Sequence, residues 1–202
     1  MVQGKLKTLA FRRRRQGRTN YRKRLRLLLS EKPRLVVRKS LKYVHAQIIT
    51  YAPQGDVVCV QAHSRELRKL GWGFSTKNVP AAYLTGFLLG VKAKDKQITS
   101  GILDLGIYTK NKGNKLFALL QGAVDGGLTI PHSPDILPAP TRINGNHIQH
   151  YAHSLKENTA AYAKQFSGYA RQHVDPENIS AQFAAVKAEI LKVHNGKEAK
   201  RN

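Results

Sequence analysis

The chain has 202 residues, 41% of them apolar, so it can build a packed core and is not disordered throughout. Its 35 Lys and Arg against 12 Asp and Glu give a formal charge of +23, well beyond the magnitude of roughly 2–8 that keeps a small domain in solution. That excess calls for a polyanion, either a phosphate backbone or an anionic membrane surface. A single cysteine, Cys59, excludes an internal disulfide framework or a thiolate metal cluster and points to a cytosolic compartment.

The first element is a basic arm. Lys and Arg crowd the stretch from Lys5 to Arg26, with four consecutive arginines at its centre, and the first acid is Glu31. Like charges repel and Arg is rarely buried unpaired, so the segment does not serve its own stability. Residues 1 to 18 read as irregular chain. Thr19 or Asn20 is placed to cap a helix, in which Tyr21, Leu25, Leu28 and Leu29 recur at helical spacing among basic residues. The pattern predicts a clamp whose apolar stripe docks on the body while its other faces stay cationic. Pro33 ends it.

Three strands are predicted next, at Arg34 to Lys39, Val44 to Tyr51 and Val57 to Ala62, the last two joined as an antiparallel hairpin by Pro53, Gly55 and Asp56. Lys32, Arg34, Arg38, Lys39 and Lys42 continue the basic run, and on a strand Arg34 and Arg38 share a face with Val36. Ser64 is placed to cap a short helix that Gly71 ends. Asn78 opens the strongest helix, with Pro80 in its first turn and a row of small residues, Ala82, Gly86, Gly90 and Ala93. Each internal glycine costs about 1 kcal/mol of helix propensity, which a close approach to another element would offset.

A strand at Gly101 to Ile107 and a helix from Asn114 to about Val124 follow. The order of strands and helices predicts an α/β fold, a mixed sheet packed by helices. Prolines 131, 134, 138 and 140 mark extended connecting chain. Beyond them, helical patterns run from His147 to Phe166 and from Ile179 to Val193, before a polar, fraying tail from Gly196. The chain therefore divides into a basic arm and helix (1–30), an α/β core (31–130) and a linker with a helical C-terminal extension (131–202). Its longest apolar run, Pro80 to Val91, is shorter than the roughly 20 residues of a spanning helix. The arm is Arg-rich and acid-poor like a transit peptide, but it is poor in Ser and runs straight into structured sequence.

Catalytic constellations are weak. Asp56, Asp104 and Asp125 are the carboxylates a two-metal nuclease would need, but they form no acid–x–acid motif. His147, His150 and His153 have helical spacing without the Glu or Cys partners of a zinc site. Ser133 has no base or oxyanion motif beside it. No cofactor and no metal is expected.

The ordered motifs carry a resemblance. Phe11-Arg-Arg-Arg-Arg-Gln-Gly-Arg-Thr-Asn-Tyr-Arg-Lys-Arg-Leu25, Lys32-Pro-Arg-Leu-Val-Val-Arg38, Ala62-His-Ser-Arg-Glu-Leu67, Asn78-Val-Pro-Ala-Ala-Tyr-Leu-Thr-Gly86 and Gly126-Gly-Leu-Thr-Ile-Pro-His132 resemble the large-subunit ribosomal protein family that binds 5S ribosomal RNA. It is numbered eighteen in the bacterial scheme, and its eukaryotic members are called ribosomal protein five. Arg142-Ile-Asn-Gly-Asn-His-Ile148 and Gln165-Phe-Ser-Gly-Tyr169 resemble the C-terminal extension of the archaeal–eukaryotic type. The end at Asn202, without the longer eukaryotic tail, points to the archaeal branch. The chain departs from the common pattern at Asn20, where Asp is frequent.

The resemblance implies a structural protein rather than an enzyme, cytoplasmic and ribosome-bound. It would attach 5S rRNA to the large rRNA in the central protuberance, beside neighbouring ribosomal proteins that include the other 5S-binding one. It carries RNA contact over to Arg12, Arg13, Arg14, Arg15, Arg18, Thr19, Asn20, Tyr21, Arg22, Lys23, Arg24 and Arg26, and further to Lys32, Arg34, Arg38, Lys39 and Ser40. The other readings at this point are an RNA-processing nuclease or RNA-modifying enzyme, and a basic protein of membrane surfaces.

Overall fold

A computed structural model describes residues 8–198. Expectations for Lys5 and Lys7 at one end, and for residues 199–202 of the tail, lie outside the described residues. The arm is not wholly irregular. Arg12–Arg15 form one helical turn, α1, and Tyr21–Leu28 form α2, capped by the Asn20 side chain, which accepts from the Lys23 N–H.

Four strands make one mixed sheet in the order β3-β2-β1-β4. β1 (Arg34–Lys39), β2 (Val44–Thr50) and β3 (Val57–His63) are antiparallel neighbours, the last two being the predicted hairpin. β4 (Ile102–Asp104) pairs parallel with β1 and is shorter than its apolar run suggests, because Gly106 turns the chain at φ +59. The register Val36↔Gln47 and Val37↔Ala46 sorts the side chains. Leu35, Val37, Ala46, Ile48, Val60 and Ala62 enter the core on one face, while Arg34, Val36, Arg38 and Ile49 line the other.

A 3-10 helix follows β3 at Ser64–Leu70 and ends at left-handed Gly71. Its cap is His63 rather than Ser64. His63 and Glu66 form a reciprocal capping box, and the Ser64 hydroxyl instead accepts from the Val44 N–H at 3.0 Å. α3 (Val79–Lys94) is capped by Asn78, and every residue from Pro80 to Val91 is buried between the sheet and α4 (Lys115–Asp125). The small-residue row makes that burial possible. A Cβ on Gly86 would overlap the Leu119 carbonyl oxygen, and one on Gly122 the Tyr83 carbonyl oxygen. Two helix backbones touch there, and the dispersion gained along the contact offsets the glycine propensity cost.

The C-terminal third adds α5 (Pro140–Ile143), α6 (Asn146–Ser154), α7 (Thr159–Gln165), α8 (Ser167–Ala170) and α9 (Ile179–Glu198). The single pattern from His147 to Phe166 is broken into separate helices because the Asn158 side chain caps a new start, accepting from the Ala161 N–H at 3.0 Å. α9 continues through Gly196, three residues further than a tail fraying from that glycine would allow. Its stripe Ile179, Phe183, Val186 and Ile190 joins the same hydrophobic core as α3. Burial of each such side chain contributes about 1.5–3 kcal/mol. Among the described residues no helix is long and apolar enough to cross a membrane.

Candidate nucleic-acid interface

The face of β1 turned away from the core carries Arg34, Val36 and Arg38, and α2 lies across it. The helix is rotated from the sequence expectation: Tyr21 and Leu28 of the predicted stripe are half-buried and Arg22 and Arg26 are exposed, but the other half of the stripe is not docked. Leu25 is 61% and Leu29 74% exposed, while Lys23 and Arg24 are partly buried against the body. What the body presents is the reason. Beneath the helix lie carboxylates and a free carbonyl, so the cationic face gains more by docking than the leucines would.

Arg24 forks onto Asp56 with bonds of 2.9 and 2.8 Å, and Lys23 Nζ donates to the Gly106 carbonyl at 2.7 Å. Arg34 links two acids, donating to Asp56 at 2.6 Å and to Asp104 at 2.9 Å. Arg38 reaches the carbonyls of Val37 and Asp104 at 2.7 and 2.9 Å. The bond from Arg24, with help from Arg34, holds the Asp56 carboxyl below its ordinary value. Burial, with Lys110 and Arg38 nearby, depresses the Lys23 ammonium, and Asp104 only partly opposes this.

These contacts sort the residues singled out in the sequence. Arg34 is withdrawn from the surface: its side chain is 3% exposed and its charge is matched internally. Its guanidinium is engaged by two carboxylates, which sets it apart from the exposed candidate RNA contacts. Lys23 and Arg24 are half-committed to holding α2, Arg38 is bonded within the sheet to the Val37 and Asp104 carbonyls, and Asn20 caps the helix. Arg13 Nε donates to the Thr19 hydroxyl at 2.9 Å, and the Phe11 ring rests on Tyr21 at 5.1 Å, so the arm folds back on its own helix. Lys39 lies over the Tyr108 ring at 5.1 Å, and Ser40 closes the turn to Tyr43. Arg12, Arg14, Arg15, Arg18, Arg22, Arg26 and Lys32 are exposed, and among the described residues they form no ion pair.

The arm, α2 and the sheet face thus make one cationic surface around a cavity of about 510 Å³. Compared with known proteins, the chain matches over residues 6–100 and 91–133 the family described as ribosomal large subunit proteins 60S L5 and 50S L18. The large ribosomal subunit protein uL18 of Methanococcus maripaludis is 50% identical over 181 residues, spanning 90% of this chain and 94% of that protein. The chain belongs to this L5/L18 family. It is of the archaeal type and a structural ribosomal protein rather than an enzyme.

For this L5/L18 member the acids considered for a nuclease have other work. Asp56 and Asp104 do meet, across Arg34, and all four of their carboxylate oxygens accept from the chain itself: Asp56 from Arg24 and Arg34, Asp104 from Arg34 and the Gly106 N–H. Asp125 accepts from the Tyr83 hydroxyl at 2.6 Å, on α4. His153 lies 3.7 Å from Glu177, and no group of three His, Cys, Asp or Glu among the described residues is placed to hold a metal ion.

Asp56 and Asp104 were singled out in the sequence, but their pairing with Arg24 and Arg34, and the part of Gly106 in holding Lys23, were missed. A signal was present: with only 12 acids against 35 cations, an acid in the turn beside a basic strand is a ready partner for a buried arginine.

Proposed function

We propose that this large-subunit ribosomal protein binds 5S rRNA through its basic arm and the outer face of α2, and helps attach that RNA to the large rRNA in the central protuberance. The observation that carries this reading is the run of exposed guanidiniums on α1 and α2 that form no ion pair among the described residues, beside Asp56 and Asp104, whose carboxylates are taken up by Arg24 and Arg34. Arg12, Arg13, Arg14, Arg15, Arg18, Arg22 and Arg26 take the phosphates. Thr19, Lys32, Arg38, Lys39 and Ser40 border them, while Asn20, Tyr21, Lys23 and Arg24 hold the arm in register and contact RNA from that position.

Phosphate contacts of this kind position a protein without reading sequence. An A-form major groove is too deep and narrow for side chains, so selectivity comes from RNA shape and unpaired loops. Its proposed partners are 5S rRNA, the large rRNA and neighbouring ribosomal proteins, among them the other 5S-binding one, with the protein ribosome-bound in the cytoplasm.

The test is competition at fixed salt between 5S rRNA and duplex DNA of equal length. Preference for 5S rRNA by roughly a thousandfold is expected. Equal affinity for both polyanions would refute the specific reading.

A further inference from the structure

The cavity of about 510 Å³ between the arm, α2 and the sheet has a composition that the phosphate contacts alone do not explain. Its floor is apolar: Val36 and Ile49, 7% and 8% exposed, turn away from the core into the space beneath the arm. Tyr21 stands at its side, and Arg13 and Arg18 are on its lining from the arm. Six cations line it, Arg13, Arg18, Lys23, Arg24, Arg34 and Arg38, against two carboxylates, Asp56 and Asp104. The deeper cations spend their donors on those carboxylates and on backbone carbonyls, whereas Arg18 forms no ion pair among the described residues.

A purely electrostatic phosphate cradle needs no greasy floor, and a lipid or peptide side chain would not need arginines of this number. A nucleotide needs both, an apolar or aromatic surface for the base and cations for its phosphate. The volume falls within the roughly 300–1,000 Å³ of pockets that enclose small organic ligands.

We propose that this cavity receives a single unpaired nucleotide of the bound RNA, its base against Val36, Ile49 and Tyr21 and its phosphate between Arg13 and Arg18. The proposal rests on the RNA-binding reading above and adds to it the site where an unstacked base is held. The arm then does two things: it neutralises phosphate and it roofs the base.

Two measurements on the full chain test it. Val36→Phe fills the floor without removing a cation. It should weaken 5S rRNA binding about tenfold to a hundredfold, the range of one lost base contact, with an unchanged salt slope. Ultraviolet crosslinking of the wild-type complex, read by mass spectrometry, should join one unpaired nucleotide to peptides holding Val36 or Ile49. A folded Val36→Phe protein that binds 5S rRNA as tightly as the wild type overturns the proposal, as do crosslinks confined to the arm. If Val36→Phe does not fold, the wild-type crosslink decides alone. Tight 5S binding without floor crosslinks defeats the pocket and spares the function, whereas failure to prefer 5S rRNA over duplex DNA defeats both.

Discussion

Arg24 and Asp56 meet through two parallel hydrogen bonds of 2.9 and 2.8 Å, joining a helix of the basic arm to the turn between β2 and β3. An acid therefore holds in place the most cationic part of the chain. Its partner side chains are about a quarter to a third exposed, so the pair on its own is modest in energy. It matters because Asp56 also accepts from the buried Arg34, which ties the arm to the sheet.

Asp56→Ala distinguishes anchoring from simple charge. Removing an acid from a protein of formal charge +23 should tighten RNA binding if only long-range attraction counts. Anchoring requires the reverse. We expect 5S rRNA binding to weaken about tenfold, which is about 1.4 kcal/mol, and trypsin to cut between Arg13 and Arg26 faster than in the wild type. Tighter binding with unchanged proteolysis would refute the anchor.

Acid should release the arm through the same residue. The bond from Arg24 holds the Asp56 carboxyl below its ordinary value. Its contribution is therefore complete above the unfolded value of about 3.9 and is lost as pH falls through the lower folded one. Thermal melts of wild type and Asp56→Asn from pH 5 downward should converge in acid. A difference that stays constant would show that the carboxylate is not the group responsible.

Arg34→Met should act on stability rather than on RNA contact. It leaves Asp104, with a side chain 8% exposed, without its closest cation, a change of the kind that costs about 3–5 kcal/mol. The urea midpoint should fall, while the salt slope of binding by the folded protein should stay as in the wild type. A shallower slope at full stability would return Arg34 to the RNA surface.

Replacing Arg12, Arg13, Arg14 and Arg15 together by Ala should do the opposite. None of the four is buried, so the urea midpoint should not move. If all four meet phosphates, the slope of log affinity against log salt should become shallower by about 3. An unchanged slope would remove α1 from the interface.

Gly86→Ala tests the helix contact behind the sheet. A methyl there overlaps the Leu119 carbonyl oxygen, so α3 and α4 must separate. We expect a loss of more than about 3 kcal/mol in urea denaturation, above the usual range for overpacking. Gly168→Ala on α8 meets nothing within 4 Å and should be neutral or stabilising by up to about 1 kcal/mol.

Much of the fold was legible because its signals are local. Asn78 with Pro80 marks the start of α3, Asn114 the start of α4 and Gly71 the end of the 3-10 helix, each by its own side-chain or backbone chemistry. The hairpin turn and the small-residue row of α3 were legible for the same reason. The break between α6 and α7 was missed because Asn158 sits in a stretch whose periodicity alone favours one continuous helix.

By itself the sequence determined most of the elements, the excess of charge, its concentration in one arm and the ordered motifs of the family. These depend on neighbouring residues and on composition. Only the tertiary structure decided which way α2 faces and which arginines stay free. Asp56 lies 32 residues from Arg24, Gly106 lies 83 from Lys23 and Asp104 lies 70 from Arg34. Whether a cation is paired inside or left for a phosphate depends on which acid or carbonyl folding brings beside it. Periodicity cannot report that, and for this reason Arg34 turned inward while Leu25 and Leu29 turned out.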